Sequence, residues 1–295
     1  MKNIEELQKF LTVEQLPAMP HSALTVLQLD NDVAKVNIND LVRPIEADPG
    51  LAAQVLKFMN SSYFGFQSAI SNVRHGITLV GIRTVKNFVL WKAVFSLIPK
   101  SKTGSFDISN LWQDSLRRAM FSRFLLLEIR KGDPELAFAG ALLQDMAIPL
   151  LLKRSPQEYG DLLTALKDTP TAQLSVLESE KFGWTHADAV GVLGKNWKLP
   201  EPLINLMANH LSLDASLAEF EKNPAQLTVA LSAMLPSVIR DDWQEKERFM
   251  KYYPSVLGGK SLPVEHFFAK VDKEFEQYAV IIQIAKPKRQ LVEYL

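Results

Sequence analysis

The stretch LVRPIEADPGLAAQVLKFMNSSYFG (residues 41–65) decides the fold class of this chain. Asp48 followed by Pro49 reads as a helix start. The aspartate oxygen can accept from the backbone of the first turn, and proline suits the first helical position because the N–H it lacks would be unpaired there anyway. Leu51, Val55, Phe58 and Met59 then recur at helical spacing on one face. Asn60, Ser61 and Ser62 carry short polar side chains that hydrogen-bond nearby backbone and so end a helix. Gly65 can supply a positive-φ position in the turn that follows.

The same signals extend outward in both directions. Ser71 is a cap candidate for a segment with Ile77 and Val80 apolar, closed by Gly81. Leu116, Met120, Phe124 and Leu127 mark one face of a long helix ending near Gly132. Pro134, Thr171, Pro224 and Pro263 read as further starts. Sustained apolar–polar alternation with β-branched residues is missing, so the chain is expected to be all-α. The polar run PKSKTGSFD (residues 99–107) reads as a linker, and a charged, aromatic shift follows near residues 241–259. The expected organisation is two packed helical bundles, about 1–100 and 105–240, with a helical extension over 241–295.

Composition narrows the chemistry. Lys+Arg and Asp+Glu balance at 33 each, which gives no global attraction to nucleic acid or anionic lipid. Aromatic and basic residues interleave at Trp91–Lys92 and between Trp243 and Tyr253, but at helical intervals such residues belong to a core more often than to a base-stacking surface. Cysteine is absent, which excludes disulfides, thiolate catalysis and Cys-based zinc sites. Five histidines (His21, His75, His186, His210 and His266) leave few ways to hold a metal. No uninterrupted apolar run approaches the roughly 18 residues of a membrane span. The N-terminus lacks a signal-peptide core, so a cytoplasmic location is expected.

From Leu16 to about Leu235 the sequence resembles the HDOD family, a regulatory offshoot of the HD-type metal-dependent phosphohydrolases. The likeness is carried by LPAMPHSALTVLQL (residues 16–29), by the opening stretch, and by ISNVRHGITLVGIRTVKNFVL (residues 70–90). Three further runs resemble the HD part of the family: LWQDSLRRA, GALLQDMAIPLLL and THADAVGVLGKNWKLPEPLINLMANH. The resemblance implies that the second bundle is HD-like. It also implies a role in bacterial signal transduction, often linked to cyclic dinucleotides. With no GGDEF-like or EAL-like domain in the sequence, the partner is expected to be a separate signalling protein, with a nucleotide-type ligand as an option.

An HD phosphohydrolase gathers imidazoles and carboxylates from separate helices so that divalent cations can polarise phosphate and activate water. The family pattern is a His, an adjacent His-Asp, and a later Asp. Here those places are matched by Asp114, by Gln144 and Asp145, and by Ala233. Gln144 offers a neutral amide where an imidazole is needed, and Ala233 offers nothing. If any metal is held, Asp114, Asp145, His186 and His210 are its ligands; the expectation is that none is, and that no cofactor is used. Asp145 is then a hydrogen-bonded structural residue, His186 a helix-start residue after Thr185, and His210 a helix-end residue. Arg74, His75, Arg83 and Lys86 could form a patch for an anion or partner. VLGGKSL (residues 256–262) lacks the spacing and preceding strand of a phosphate loop. The expected function is non-catalytic binding, the alternative a residual metal-dependent phosphohydrolase acting on a nucleotide.

Overall fold

The computed structural model describes residues 4–11, 20–29, 35–61, 63–96, 107, 109–169, 171–218, 222–257, 260–282 and 284–295. Most of the run read as a linker lies outside them, as do Ser62 and the two glycines of VLGGKSL. Among the described residues every regular element is helical.

Helix α1 (Ile4–Phe10) is followed by α2 (His21–Gln28), α3 (Ile38–Glu46), α4 (Pro49–Met59), α5 (Val73–Val80) and α6 (Ile82–Ser96). Helices α2 to α6 pack on one another, whereas α1 packs on α12, introduced below. The decisive stretch folds as its residues dictate. Asp48 accepts from Leu51 N at 3.0 Å, and Leu51, Val55, Phe58 and Met59 are all buried. Asn60 ends α4 and clamps the loop beyond it, donating to Ile70 O at 2.7 Å and accepting from Ile70 N at 2.6 Å. The cap of α5 is Asn72 rather than Ser71, because the Asn72 side chain reaches His75 N at 3.0 Å. Gly81, at φ 96, closes α5 and lets α6 start at the next residue, a conformation a side chain would strain.

The second group is arranged around α7 (Ser109–Ile129), a helix of 21 residues. Helices α8 (Pro134–Leu143) and α15 (Pro224–Ser232) lie against it, and so does the C-terminal α17 (Val264–Ile282). Between them run α9 (Ala147–Arg154), α10 (Pro156–Asp168), α11 (Leu174–Phe182), α12 (His186–Asn196), α13 (Glu201–Ala208) and α14 (Leu213–Ala218). The α11 start is Leu174, not Thr171; Gln173 stands extended at the cap position without a side-chain cap bond. Leu116, Met120 and Phe124 are buried, but Leu127 is 47% exposed, because Leu125, Leu126 and Ile129 take the core-facing side at this end of α7. The 21 residues Pro134–Arg154 are long and apolar enough to cross a membrane, yet 89% of their most apolar window is buried inside the fold. They form the core pair α8–α9, split at the Gln144–Asp145 turn.

Residues beyond 240 are part of this core. Helix α16 (Lys246–Val256) buries Phe249 and Tyr253, and α17 buries Phe267, Phe268, Val271 and Phe275. A final 3-10 turn, Leu291–Tyr294, is held by Asp272, which accepts from Leu291 N at 2.9 Å and Val292 N at 3.1 Å.

The two groups meet where α6 packs on α8 and α4 touches α17. Sequence alone singles out Phe64 and Phe66 for such a seam, but Phe66 is 38% exposed and Phe64 half-buried. The buried ring is Phe58, stacked on Phe88 at 4.2 Å and lying 5.9 Å from Tyr278 of α17. Phe58→Ala is therefore expected to cost about 3–5 kcal/mol, whereas Phe66→Ala should stay within about 0.5 kcal/mol. Denaturant midpoints of the two variants check this, and equal losses would show that the ring at position 66 carries the seam.

Candidate functional site

Four segments bring their polar side chains into one cleft of about 270 Å³ beside α7. Asp114 and Arg118 come from successive turns of α7, and Asp145 from the turn between α8 and α9. His186 is the first residue of α12, and His210 follows the end of α13. Local chemistry places His186. Gly183, in the left-handed region at φ 73, ends α11. Thr185 and Asp188 then cap α12 reciprocally, each side chain bonding the other's backbone N–H. The chain thus reverses within three residues and aims His186 back at α11.

Glu178 of α11 receives it. This carboxylate is fully buried and accepts from His186 N at 2.9 Å, from His186 Nδ1 at 2.7 Å and from the Tyr159 hydroxyl. His210 Nδ1 donates to Met207 O at 2.6 Å. A carbonyl and a carboxylate can only accept, so the Nδ1 of both rings carries a proton and the Nε2 of both is left with a lone pair. Those two Nε2 atoms face each other at 3.2 Å, and each lies 3.5 Å from Asp145 Oδ1. Two lone pairs at that distance repel unless something positive sits with them: a proton on one ring, or a metal cation shared by both.

The charges reflect that crowding. Burial lowers the proton affinity of His186, but the Glu178 and Asp145 carboxylates outweigh it and hold the ring above the ordinary imidazole range. His210 is pushed down to about 4, chiefly by burial, against the pull of Asp145. Burial works to raise Asp145, yet Arg118, His210 and His186 hold its carboxyl below the usual range. Arg118 forms an ion pair with Asp145 Oδ2, the oxygen turned away from the imidazoles.

Of the four residues singled out as metal ligands, the structure gathers Asp145, His186 and His210 and leaves Asp114 apart. Asp114 accepts from Ser237 Oγ and from Val238 N at 2.9 Å, which ties it to the loop after α15. Burial raises its carboxyl above the usual range despite these bonds and Arg118. Gln144 is fully buried and does not line the cleft. Its amide atoms lack partners of regular hydrogen-bond geometry, though the side chain is close enough to help keep Asp145 charged. Ala233 does line the cleft and presents only a methyl group there. Sequence reasoning missed Arg118, Glu178 and Tyr159. Only Arg118 had a signal, one helical turn after Asp114.

Of Arg74, His75, Arg83 and Lys86, three are engaged by partners within the fold. Lys86 is 8% exposed because its ammonium donates to Leu29 O at 2.7 Å, the carbonyl that closes α2. Arg83 pairs with Asp133 at 3.2 Å and Arg74 donates to Asn39, which leaves His75 exposed between committed neighbours.

Comparison with known proteins agrees with this architecture. The HDOD domain model matches residues 16–213. An uncharacterized protein of Treponema pallidum is 25% identical over 227 residues, 75% of this chain and 42% of that protein. YuxH of Bacillus subtilis, also uncharacterized, is 28% identical over 109 residues, 36% of this chain and 26% of its own. The chain thus spans less than half the length of the curated relatives it matches. Among solved structures, an HDOD domain protein of unknown function from Geobacter sulfurreducens superposes with TM-score 0.72 at 20% identity, covering 96% of this chain and 98% of its own. A protein from Shewanella amazonensis SB2B, provisionally named a phosphohydrolase, gives 0.70 at 18% identity, covering 96% and 99%. A third, from Marinobacter aquaeolei VT8 and provisionally named a signal transduction protein, gives 0.64 at 20% identity, covering 92% and 57%.

Glu178 holds three donors in a site without water access of its own, so Glu178→Ala is expected to destabilise the fold by about 3–5 kcal/mol. Urea unfolding checks it: the midpoint should fall with little change of slope. An unchanged midpoint would mean that His186 and Tyr159 find other acceptors.

Proposed function

The chain belongs to the HDOD family, and on that premise we propose that it is a non-catalytic regulatory module of bacterial signal transduction. It works in the cytoplasm by binding a separate signalling protein or a small ligand rather than by turning substrate over. The observation that carries this reading is the fate of the four positions an HD hydrolase uses. Asp114 is spent on Ser237 and Val238, Gln144 is buried away from the cleft, and Ala233 is a methyl group. Only Asp145 still faces the histidines, and Arg118 takes one of its two oxygens. Metal-assisted phosphoryl chemistry draws on cations that polarise phosphate and activate water, and of the family's ligand positions only Asp145 keeps a ligand atom toward the histidines. The balanced charge of the chain further favours a protein or small-molecule partner over nucleic acid.

A second reading, a residual metal-dependent phosphohydrolase acting on a nucleotide or cyclic dinucleotide, is favoured by one observation: Asp145, His186 and His210 converge within 4.8 Å. The two readings part in one assay. Purified protein supplied with Mn²⁺, Fe²⁺ or Zn²⁺ is expected to leave deoxynucleotides and cyclic dinucleotides intact over hours. Hydrolysis that needs the metal and vanishes in Asp145→Ala would replace the regulatory reading with the enzymatic one.

A further inference from the structure

The cleft contains a set of atoms that turnover is not needed to explain. His186 Nε2, His210 Nε2 and Asp145 Oδ1 form a triangle with sides of 3.2, 3.5 and 3.5 Å. Ligands at neighbouring corners of a tetrahedron with bonds of about 2.1 Å stand about 3.4 Å apart. The triangle is therefore the size of three corners around one transition-metal ion. It is also rigid in the way such sites require. Each imidazole has its other nitrogen tied down, His186 to the Glu178 carboxylate and His210 to the Met207 carbonyl, and Glu178 is itself steadied by Tyr159. A carboxylate or carbonyl behind a histidine sets its tautomer and raises its basicity toward a metal. All three ligand residues are buried, yet all three line the cleft, so the triangle borders space that a further ligand could enter.

We propose that Asp145, His186 and His210 form a binding site for one divalent transition-metal ion, and that Arg118 stands on the Asp145 oxygen a second ion would need. Two imidazoles and one carboxylate favour Fe²⁺, Zn²⁺, Co²⁺ or Ni²⁺ over Mg²⁺ or Ca²⁺. Arg118 Nη1 lies against Asp145 Oδ2 while Oδ1 faces the two rings, so the carboxylate links a permanent cation to the triangle. The guanidinium supplies the positive charge on that side without being able to activate water. The site thus holds its metal as an anchor, with one coordination position left for an acidic group of a ligand or partner. This goes beyond the regulatory reading and does not depend on it. Metal without turnover leaves both in place, whereas metal with turnover removes the regulatory reading alone.

The test uses the full chain, freed of metal by a chelator and titrated with Co²⁺ and Zn²⁺. One equivalent should bind, and bound Co²⁺ should develop visible ligand-field absorption. X-ray absorption at the zinc edge of the loaded wild-type chain should show the outer-shell scattering of two imidazoles, a readout that needs no variant. His210→Gln should abolish the Co²⁺ bands, and Glu178→Gln, which touches no metal, should weaken affinity by about 10–100-fold. Circular dichroism and melting of each variant keep loss of fold apart from loss of ligand. No binding by the folded wild-type chain would overturn the proposal and leave a shared proton between the two Nε2 atoms. Two equivalents, oxygen-only scattering, or unchanged bands in folded His210→Gln would overturn it as well.

Discussion

Helix α7 is enclosed, and most of the molecule answers to that. From Leu111 to Leu126 none of its residues is exposed, although this span includes Asp114, Arg117, Arg118, Ser122 and Arg123. Polar groups without access to water must find partners inside the protein or cost several kcal/mol each. Each of these five does so in a different direction. Asp114 holds the loop after α15, and Ser122 donates to Thr228 O at 3.1 Å. Arg117 donates to Arg289 O at 2.5 Å and lies 3.8 Å from Asp272, which draws in the C-terminal turn. Arg123 pairs with Glu135 at 2.6 Å, and Glu135 also accepts from Asn87 of the first group. Arg118 takes Asp145. One buried helix thereby fixes the seam, the C-terminus and the cleft.

The cleft inherits its character from that arrangement. Arg117 and Arg118 are adjacent in sequence but point to different sides of α7, one toward α17 and the other toward Asp145. The charge that Arg118 brings to the cleft balances Asp145, and Glu178 is answered by His186 and Tyr159. The two Nε2 atoms then meet beside Asp145 Oδ1, where a positive charge is favoured between them.

The enclosure of α7 also explains why the C-terminal residues are not an appendage. Phe121 of α7 lies 6.2 Å from Phe267, 6.4 Å from Phe268 and 5.7 Å from Phe249. Without α16 and α17 this face would be a large apolar surface open to water. The family match ends at residue 213, so the covering of this face is contributed by a part of the chain that the match does not reach.

Much of the helical framework was legible in the sequence because helix ends are local. Asp48–Pro49, Asn60, Gly81 and Pro134 act within three or four residues, and the structure places each where its chemistry demands. Ser71 is displaced as a cap by its neighbour Asn72, whose side chain reaches the first turn, whereas α11 begins three residues after Thr171 with no side-chain cap to mark it. The absence of cysteine and the degraded His-Asp pair were equally plain. The sequence could name Asp114, Asp145, His186 and His210 but could not separate the first from the other three. That separation depends on which loop reaches Asp114 and on which face of α7 Arg118 projects. Glu178 and Tyr159 left no local trace at all, since their bond joins α10 to α11 and their role exists only because α12 doubles back on α11. Caps are decided by neighbours along the chain, but convergence of side chains from separate helices is decided by how those helices pack. Tertiary structure alone could show that two imidazole Nε2 atoms meet at 3.2 Å, each 3.5 Å from Asp145 Oδ1.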